Sequence, residues 1–228
     1  MPCGRTDPVQ TLLLDLDGTL ADTAPDMHAA LCRLQTRHGV DPLPFEAVRD
    51  HVSHGSVALV RLGFPGIEGE AFEDLKRQYL DLYAQALHVE TRLFPGMAKI
   101  LEGIEARGMN WGVVTNKPGW LTDPLLRAMG LYERAATVIS GDTTPERKPH
   151  PLPLLQACRE AGSTPQRCLY IGDALRDIQA GRAAGMVTLT ALYGYIDADQ
   201  TPDTWGADGC IRHPEEILPW LSPVHRAS

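Results

Sequence analysis

The first pattern along the chain is a continuous apolar run, Leu12-Leu13-Leu14. It stops at two carboxylates two residues apart, Asp15 and Asp17, followed by Gly18 and Thr19. A short unbroken apolar run predicts a strand buried on both faces. From Asp22 to about Leu93 the spacing changes to that of helices. Pro25 to Arg37 carries Met27, Ala30, Leu31 and Leu34 at helical intervals and stops at Gly39. Ala71 to Leu87, with Phe72, Leu75, Tyr79, Leu82, Tyr83 and Ala86, has the same period. Phe45 to Leu62 predicts two short helices interrupted at Ser53-His54-Gly55-Ser56.

From Phe94 onward strand and helix patterns alternate. Helices are expected at Met97–Arg107, Leu121–Met129, Leu152–Ala161, Leu175–Ala184 and Glu215–Leu221. Strands are expected at Trp111–Thr115, Thr137–Ser140, Cys168–Ile171, Val187–Leu192 and Gly209–Arg212. That alternation predicts an α/β domain, a parallel sheet flanked by helices, whose ligands bind at the carboxyl ends of the strands. The expected division is a core of residues 9–21 and 94–222 with a helical insertion at 22–93, able to sit over the site as a lid.

Composition narrows the classes. The 228 residues suffice for one large domain with an insertion or for two smaller ones, and 43% hydrophobic with 22% charged residues is ordinary for a soluble globular enzyme. A net charge of −8 with a pI near 5.4 argues against nucleic acid or an anionic membrane as a partner. No stretch has the length of an apolar membrane span, and Met1-Pro2-Cys3-Gly4-Arg5 is not followed by a signal-peptide pattern, so the cytoplasm is the expected compartment. The cysteines, Cys3, Cys32, Cys158, Cys168 and Cys210, form no Cys-x-x-Cys pair and are read as reduced thiols.

Chemistry-bearing residues fall at the predicted strand ends. Asp15 and Asp17 repel one another unless a cation or a shared proton compensates, and hard oxygen ligands favour magnesium. Asp-Gly is also a common turn dipeptide. Thr115-Asn116-Lys117 offers a hydroxyl and fresh backbone amides for phosphoryl oxygens, and Gly18 lets the chain turn sharply. Lys148, between Arg147 and Pro149, can neutralise phosphate charge and hold Asp15, although loop lysines are usually solvated. Asp173 sits at a strand tip, suited to a metal, with Asp177 one turn into the next helix, where an acid is often only a cap.

Together, Asp15-Leu16-Asp17-Gly18-Thr19-Leu20, Thr115, Lys148 and Gly172-Asp173 with Asp177 resemble the four motifs of the haloacid dehalogenase superfamily, specifically its phosphatases. The resemblance spans residues 11 to 220. It implies a Rossmann-like doubly wound parallel-sheet core with an inserted α-helical cap. It also implies catalytic roles for Asp15, Asp17, Thr115 and Lys148, with Asp15 as nucleophile through an aspartyl-phosphate and Asp17 as acid and base. Mg2+ would be held by Asp15, Asp17 through its carbonyl, and Asp173, with Asp177 orienting metal-bound water or Lys148. Gly18, Thr115, Asn116 and Lys148 would bind phosphate. The second acid, Asp17, favours phosphate chemistry over dehalogenation and leaves phosphomutases possible.

Trp111 to Pro118 and Tyr193-Gly194-Tyr195 look like phosphoglycolate phosphatases. The tail, with Pro202, Trp205-Gly206-Ala207-Asp208 and His213-Pro214, is closer to the N-acetylmuramic acid 6-phosphate phosphatases of bacterial cell-wall recycling. Ala174 departs from the Asp or Ser of these relatives. The implied partner is a small phosphorylated metabolite bearing a carboxylate, with other sugar phosphates as alternatives. His54, Gly55 and Ser56 of the insertion and Lys117 of the core are the expected substrate-binding residues, with Arg61 and Arg176 as further cations. The competing non-enzyme reading, a regulatory protein that binds a phosphate ligand, would not require two adjacent acids.

Overall fold

A computed structural model describes residues 8–221. Cys3, the Met1–Arg5 stretch and Ser222 at the end of the expected core lie outside the described residues.

The central strand, β1 (Thr11–Leu14), is wholly buried because the sheet is covered on both faces. It pairs in parallel with β4 (Asn110–Val114) on one side and β6 (Cys168–Gly172) on the other. β5 (Thr137–Ile139) extends the first side, and β7 (Val187–Ala191) with β8 (Gly209–Ile211) extends the second, giving the order β5-β4-β1-β6-β7-β8. All of these pairings are parallel. Alternation along β1 then sorts the core. Leu12 and Leu14 face α5 (Met97–Glu105) and α6 (Gly119–Ala128), through Ile100, Leu101, Ile104, Leu125 and Leu126. Leu13 faces α7 (Leu152–Glu160) and α8 (Leu175–Ala183), through Leu154, Ala157 and Ala180.

The segment after β1 leaves and returns through a two-stranded antiparallel ribbon, β2 (Ala21–Asp22) against β3 (Arg92–Leu93), which hydrophobic periodicity does not reveal. Between these strands lie α1 (Ala24–Arg37), α2 (Phe45–Val48), α3 (Gly55–Gly63) and α4 (Gly69–Ala84). They bury a second apolar cluster, in which Met27, Leu31 and Leu34 meet Leu59, Val60, Leu75, Tyr79 and Leu82, and which Phe94, Leu121 and Tyr195 join from outside the segment. The carboxylate of Asp26 ties the start of this segment to its end, accepting bonds from the amides of Val89, Glu90 and Thr91 and from the Thr91 hydroxyl.

Two expected elements differ. The break expected at Ser53–Ser56 falls earlier and is a change of helix type: Arg49–His54 is a 3-10 turn, and α3 follows directly from Gly55, which has φ +75°. The expected helix at Glu215–Leu221 divides into a 3-10 turn, Pro214–Ile217, and a short α9, Leu218–Leu221, because Pro219 has no N–H to continue the ladder. Among the described residues no helix is long and apolar enough to cross a membrane.

Candidate active site

Strand register decides which residues meet. Leu14 lies opposite Val113 on β4 and Ile171 on β6. The chain beyond each strand therefore emerges at one level, carrying Asp15, Thr115 and Asp173. A parallel sheet aligns its carboxyl ends, so residues far apart in sequence share one crevice.

Asp15 is 3% exposed and accepts a bond from the Leu16 amide at 2.8 Å. Strand alternation does not aim Asp17, because β1 ends at Leu14; the turn does. Gly18 has φ +80°, and a Cβ there would stand 2.1 Å from Asp173 Oδ2. Only glycine lets the turn pass this close to the third acid. The Gly18 amide, expected to bind phosphate, donates instead to the Ala21 carbonyl at 3.1 Å. As placed here its contribution is steric. Asp17 Oδ1 accepts bonds from the Thr23 hydroxyl at 2.6 Å and from Lys117 Nζ at 2.9 Å.

Lys148 is the hub beneath the site. Its Nζ lies 2.9 Å from Asp15 Oδ1 and 2.7 Å from Asp177 Oδ1, and it donates to the Val114 carbonyl at 2.8 Å and the Tyr170 hydroxyl at 2.9 Å. The Asn116 side chain fixes the loop that delivers it, bonding both the Lys148 carbonyl and the Lys148 amide. Asp177 Oδ2 accepts the Ala174 amide at 3.0 Å, so both of its oxygens are engaged. Thr115 Oγ1 accepts the Lys117 amide at 3.1 Å.

One carboxylate oxygen from each of Asp15, Asp173 and Asp177 lies within 4.8 Å of the others, all buried. Burial raises the Asp15 carboxyl, with Lys148 pulling the other way. Burial, then the charges of Asp15 and Asp177, push Asp173 up to about 7. Burial also works against Asp177, but Lys148, Arg176 and its hydrogen bonds outweigh it and hold that carboxyl below the ordinary range. Three buried carboxylates sharing one site, two of them pushed toward the neutral form, are the hard-oxygen donor set a divalent cation fits.

The helical segment reaches into the same place. Ser53 donates to Asp173 Oδ2 at 2.7 Å, Arg176 donates to the Ser53 carbonyl at 2.6 Å, and the Tyr195 amide donates to Asp173 Oδ2 at 2.8 Å. The Tyr83 hydroxyl accepts a bond from Lys117 Nζ at 2.9 Å. Burial opposes the Lys117 charge, but Asp17 and Tyr83 outweigh it and raise the ammonium above its ordinary value. Burial pushes the Tyr83 phenol up to about 12 against the pull of Lys117. A cavity of about 400 Å³ opens above these groups. Asp15, Asp17, Thr115, Asn116 and Lys117 line it together with His54, Gly55 and Ser56, and Arg147 and Arg176 add positive charge.

Several expected candidates lie elsewhere or are already occupied. Arg61 stacks over Phe72, 5.5 Å from its ring centroid, and is not among the residues lining this cavity. His54 borders the cavity, but its Nε2 is 2.5 Å from Asp197 Oδ2, with His51 on the same carboxylate. Trp205 is buried in the tail, and Asp208 accepts the Thr188 amide at the opposite end of β7, away from the strand tips. Pattern reading passed over Tyr170, Tyr83 and Ser53. Tyr170 left a trace, being a lone hydroxyl in the buried run Cys168-Leu169-Tyr170-Ile171. Tyr83 left none, since its ring belongs to the apolar stripe of α4.

Residues 12–191 match the haloacid dehalogenase-like hydrolase family. An N-acetylmuramic acid 6-phosphate phosphatase from Pseudomonas aeruginosa PAO1 is 40% identical over 211 residues, covering 92% of this chain and 93% of that protein. A phosphoglycolate phosphatase from Xylella fastidiosa Temecula1 is 40% identical over 205 residues, covering 90% of each. Among solved structures, a predicted phosphoglycolate phosphatase from Haemophilus somnus 129pt superposes with a TM-score of 0.83 at 27% identity, covering 93% of this chain and 97% of that one.

Proposed function

This chain belongs to the haloacid dehalogenase-like hydrolases and is a phosphatase of that family, and from that premise we propose that it is a magnesium-dependent phosphomonoester hydrolase of the cytoplasm. Residues 9–21 and 94–222 form the catalytic core and 22–93 a cap. The observation that carries this reading is the convergence of Asp15, Asp17, Thr115, Lys148 and Asp173 at adjacent strand ends beneath one cavity.

In this mechanism a carboxylate oxygen of Asp15 attacks phosphorus in line, and the ester bond breaks with its electron pair on the leaving oxygen. Asp17 donates a proton to that oxygen. Water then attacks the aspartyl-phosphate while Asp17 takes a proton from it, restoring the Asp15 carboxylate. Lys148 holds Asp15 in position, and Thr115 with the Asn116 amide receives phosphoryl oxygens. The Asp15 carboxylate, the Asp17 carbonyl and the Asp173 carboxylate would hold Mg2+, which would supply charge neutralisation at the transferring group. Asp177 positions Lys148, since both its oxygens are bonded within the protein.

The substrate is a small phosphomonoester bearing a carboxylate, N-acetylmuramic acid 6-phosphate ahead of 2-phosphoglycolate. Arg147 and Arg176, which line the cavity, support the carboxylate, whereas the Lys117 ammonium is already taken by Asp17 and Tyr83. The preference for the larger compound rests on the size of the cavity, about 400 Å³, and on its apolar wall, which includes Met27, Val52, Tyr79, Leu80 and Leu121. The relatives named for each substrate are equally similar, so the choice rests on that wall.

The test is kcat/KM for both compounds and for neutral sugar phosphates, with magnesium and with chelator. A win for a neutral sugar phosphate rejects the carboxylate, a win for 2-phosphoglycolate reverses the ranking, and full activity in chelator rejects the metal.

A further inference from the structure

Asp17 is held by one end of the helical segment directly and by the other through Lys117. Thr23, at the start of α1, donates to Oδ1 at 2.6 Å. Lys117 Nζ donates to the same Oδ1 at 2.9 Å and to the hydroxyl of Tyr83, in the last turn of α4, also at 2.9 Å. The Lys117 side chain is 5% exposed, and its Nζ lies 4.6 Å from the centroid of the Tyr83 ring. Tyr83 is itself immobilised: it is 1% exposed and stacks on Tyr79 at 6.4 Å between ring centroids. Two donors on Oδ1 have a chemical consequence. A proton carried by this carboxyl group sits on Oδ2, the oxygen left for the substrate.

We propose that Lys117 and Tyr83 are positioning residues for proton delivery to the leaving group. Tyr83 fixes the Lys117 ammonium, and Lys117 fixes Asp17 Oδ1, so that Oδ2 is aimed at the ester oxygen. This rests on the reading of Asp17 as the acid. A lysine has a long, flexible stem that a single ion pair does not hold in one geometry, and the phenol supplies the second fixed point. Because that phenol belongs to the cap, the acid is aimed only while α4 is packed against the core. When it is aimed, Asp15 forms the bond to phosphorus, the ester P–O bond breaks, and the proton on Oδ2 passes to the departing oxygen.

A poor leaving group depends on that proton and a good one does not, whereas a merely structural pin between cap and core would serve both alike. Tyr83→Phe and Lys117→Met are therefore compared with wild type by kcat/KM on phenyl phosphate and 4-nitrophenyl phosphate, two esters of nearly the same shape. This parameter reports steps up to departure of the leaving group. Tyr83→Phe should lose about tenfold or more on phenyl phosphate and far less on 4-nitrophenyl phosphate, and Lys117→Met should be at least as selective. Asp17→Asn, assayed alongside, should be the most selective of all. Equal losses on the two esters in Tyr83→Phe and Lys117→Met, with Asp17→Asn still selective, overturn the positioning role and leave Asp17 as the acid. Equal losses in Asp17→Asn overturn both. Tyr83→Phe keeps the ring and its stack, so it decides the outcome if Lys117→Met does not fold.

Discussion

Replacing Lys148 by methionine tests the charge arrangement under the site directly. The ammonium has three protons and meets four acceptors, Asp15, Asp177, Val114 and Tyr170, all within 2.9 Å. Its side chain and that of Asp177 are both 0% exposed, so neither partner is screened by water. Removing one member of such a buried pair leaves an uncompensated charge and costs about 3–5 kcal/mol. In a chain of this size each kcal/mol lowers Tm by about 2–4 °C, so Lys148→Met should melt about 6–20 °C below wild type.

The same perturbation has a pH signature. In the wild type the Asp177 carboxyl lies below its ordinary value of 3.8, so its contribution is present above that value and is lost as pH falls through the folded one. Without Lys148 both carboxyls resist ionisation, and protonation relieves the variant. The gap to wild type should narrow as pH falls from neutrality toward the ordinary carboxylate range. Tyr170→Phe is the control: it leaves three acceptors for three protons and should cost only about 1 kcal/mol. Thermal unfolding in chelator measures all three proteins. A Lys148→Met loss below about 3 °C, or a gap that does not close on acidification, would refute the reasoning.

Asp15→Asn should fold, keep an oxygen toward Lys148 and lose turnover; near-wild-type hydrolysis, after mass spectrometry has excluded deamidation, would remove Asp15 as nucleophile. Because Asp173 is pushed up to about 7, the folded metal-free protein holds a proton that the unfolded chain releases above 3.8. Its stability should therefore fall as pH rises from about 4 to 7, while the Tm increase produced by magnesium grows over the same range. A magnesium shift that is flat or shrinks with rising pH, followed by thermal unfolding, counts against Asp173 as a ligand. Gly18→Ala combines a φ of +80° with a Cβ 2.1 Å from Asp173 Oδ2. The left-handed backbone alone costs about 1–2 kcal/mol, and the displaced carboxylate should weaken apparent magnesium affinity about tenfold or more, as read from the metal dependence of the rate.

Much of this site was written in local pattern. An apolar run buried on both faces had to be a central strand, and polar residues at the ends of several such runs had to converge once the runs paired in parallel, so Asp15, Thr115 and Asp173 were legible from spacing alone. Helical periodicity likewise marked the segment between Asp22 and Leu93 as different from the rest. What periodicity does not encode is which side chain meets which across the fold. Ser53 reaches Asp173 over 120 residues and Lys117 reaches Tyr83 over 34, contacts set by how the helical segment settles on the sheet. That packing gave Lys117 to Asp17, paired His54 with Asp197, and left the tail around Trp205 at the far end of the sheet. The sequence by itself determined the strand tips and the acids they carry, because burial and alternation act residue by residue. Only the tertiary structure decided the partners of each charge, because a buried ion is satisfied by whatever the fold brings within three ångströms of it.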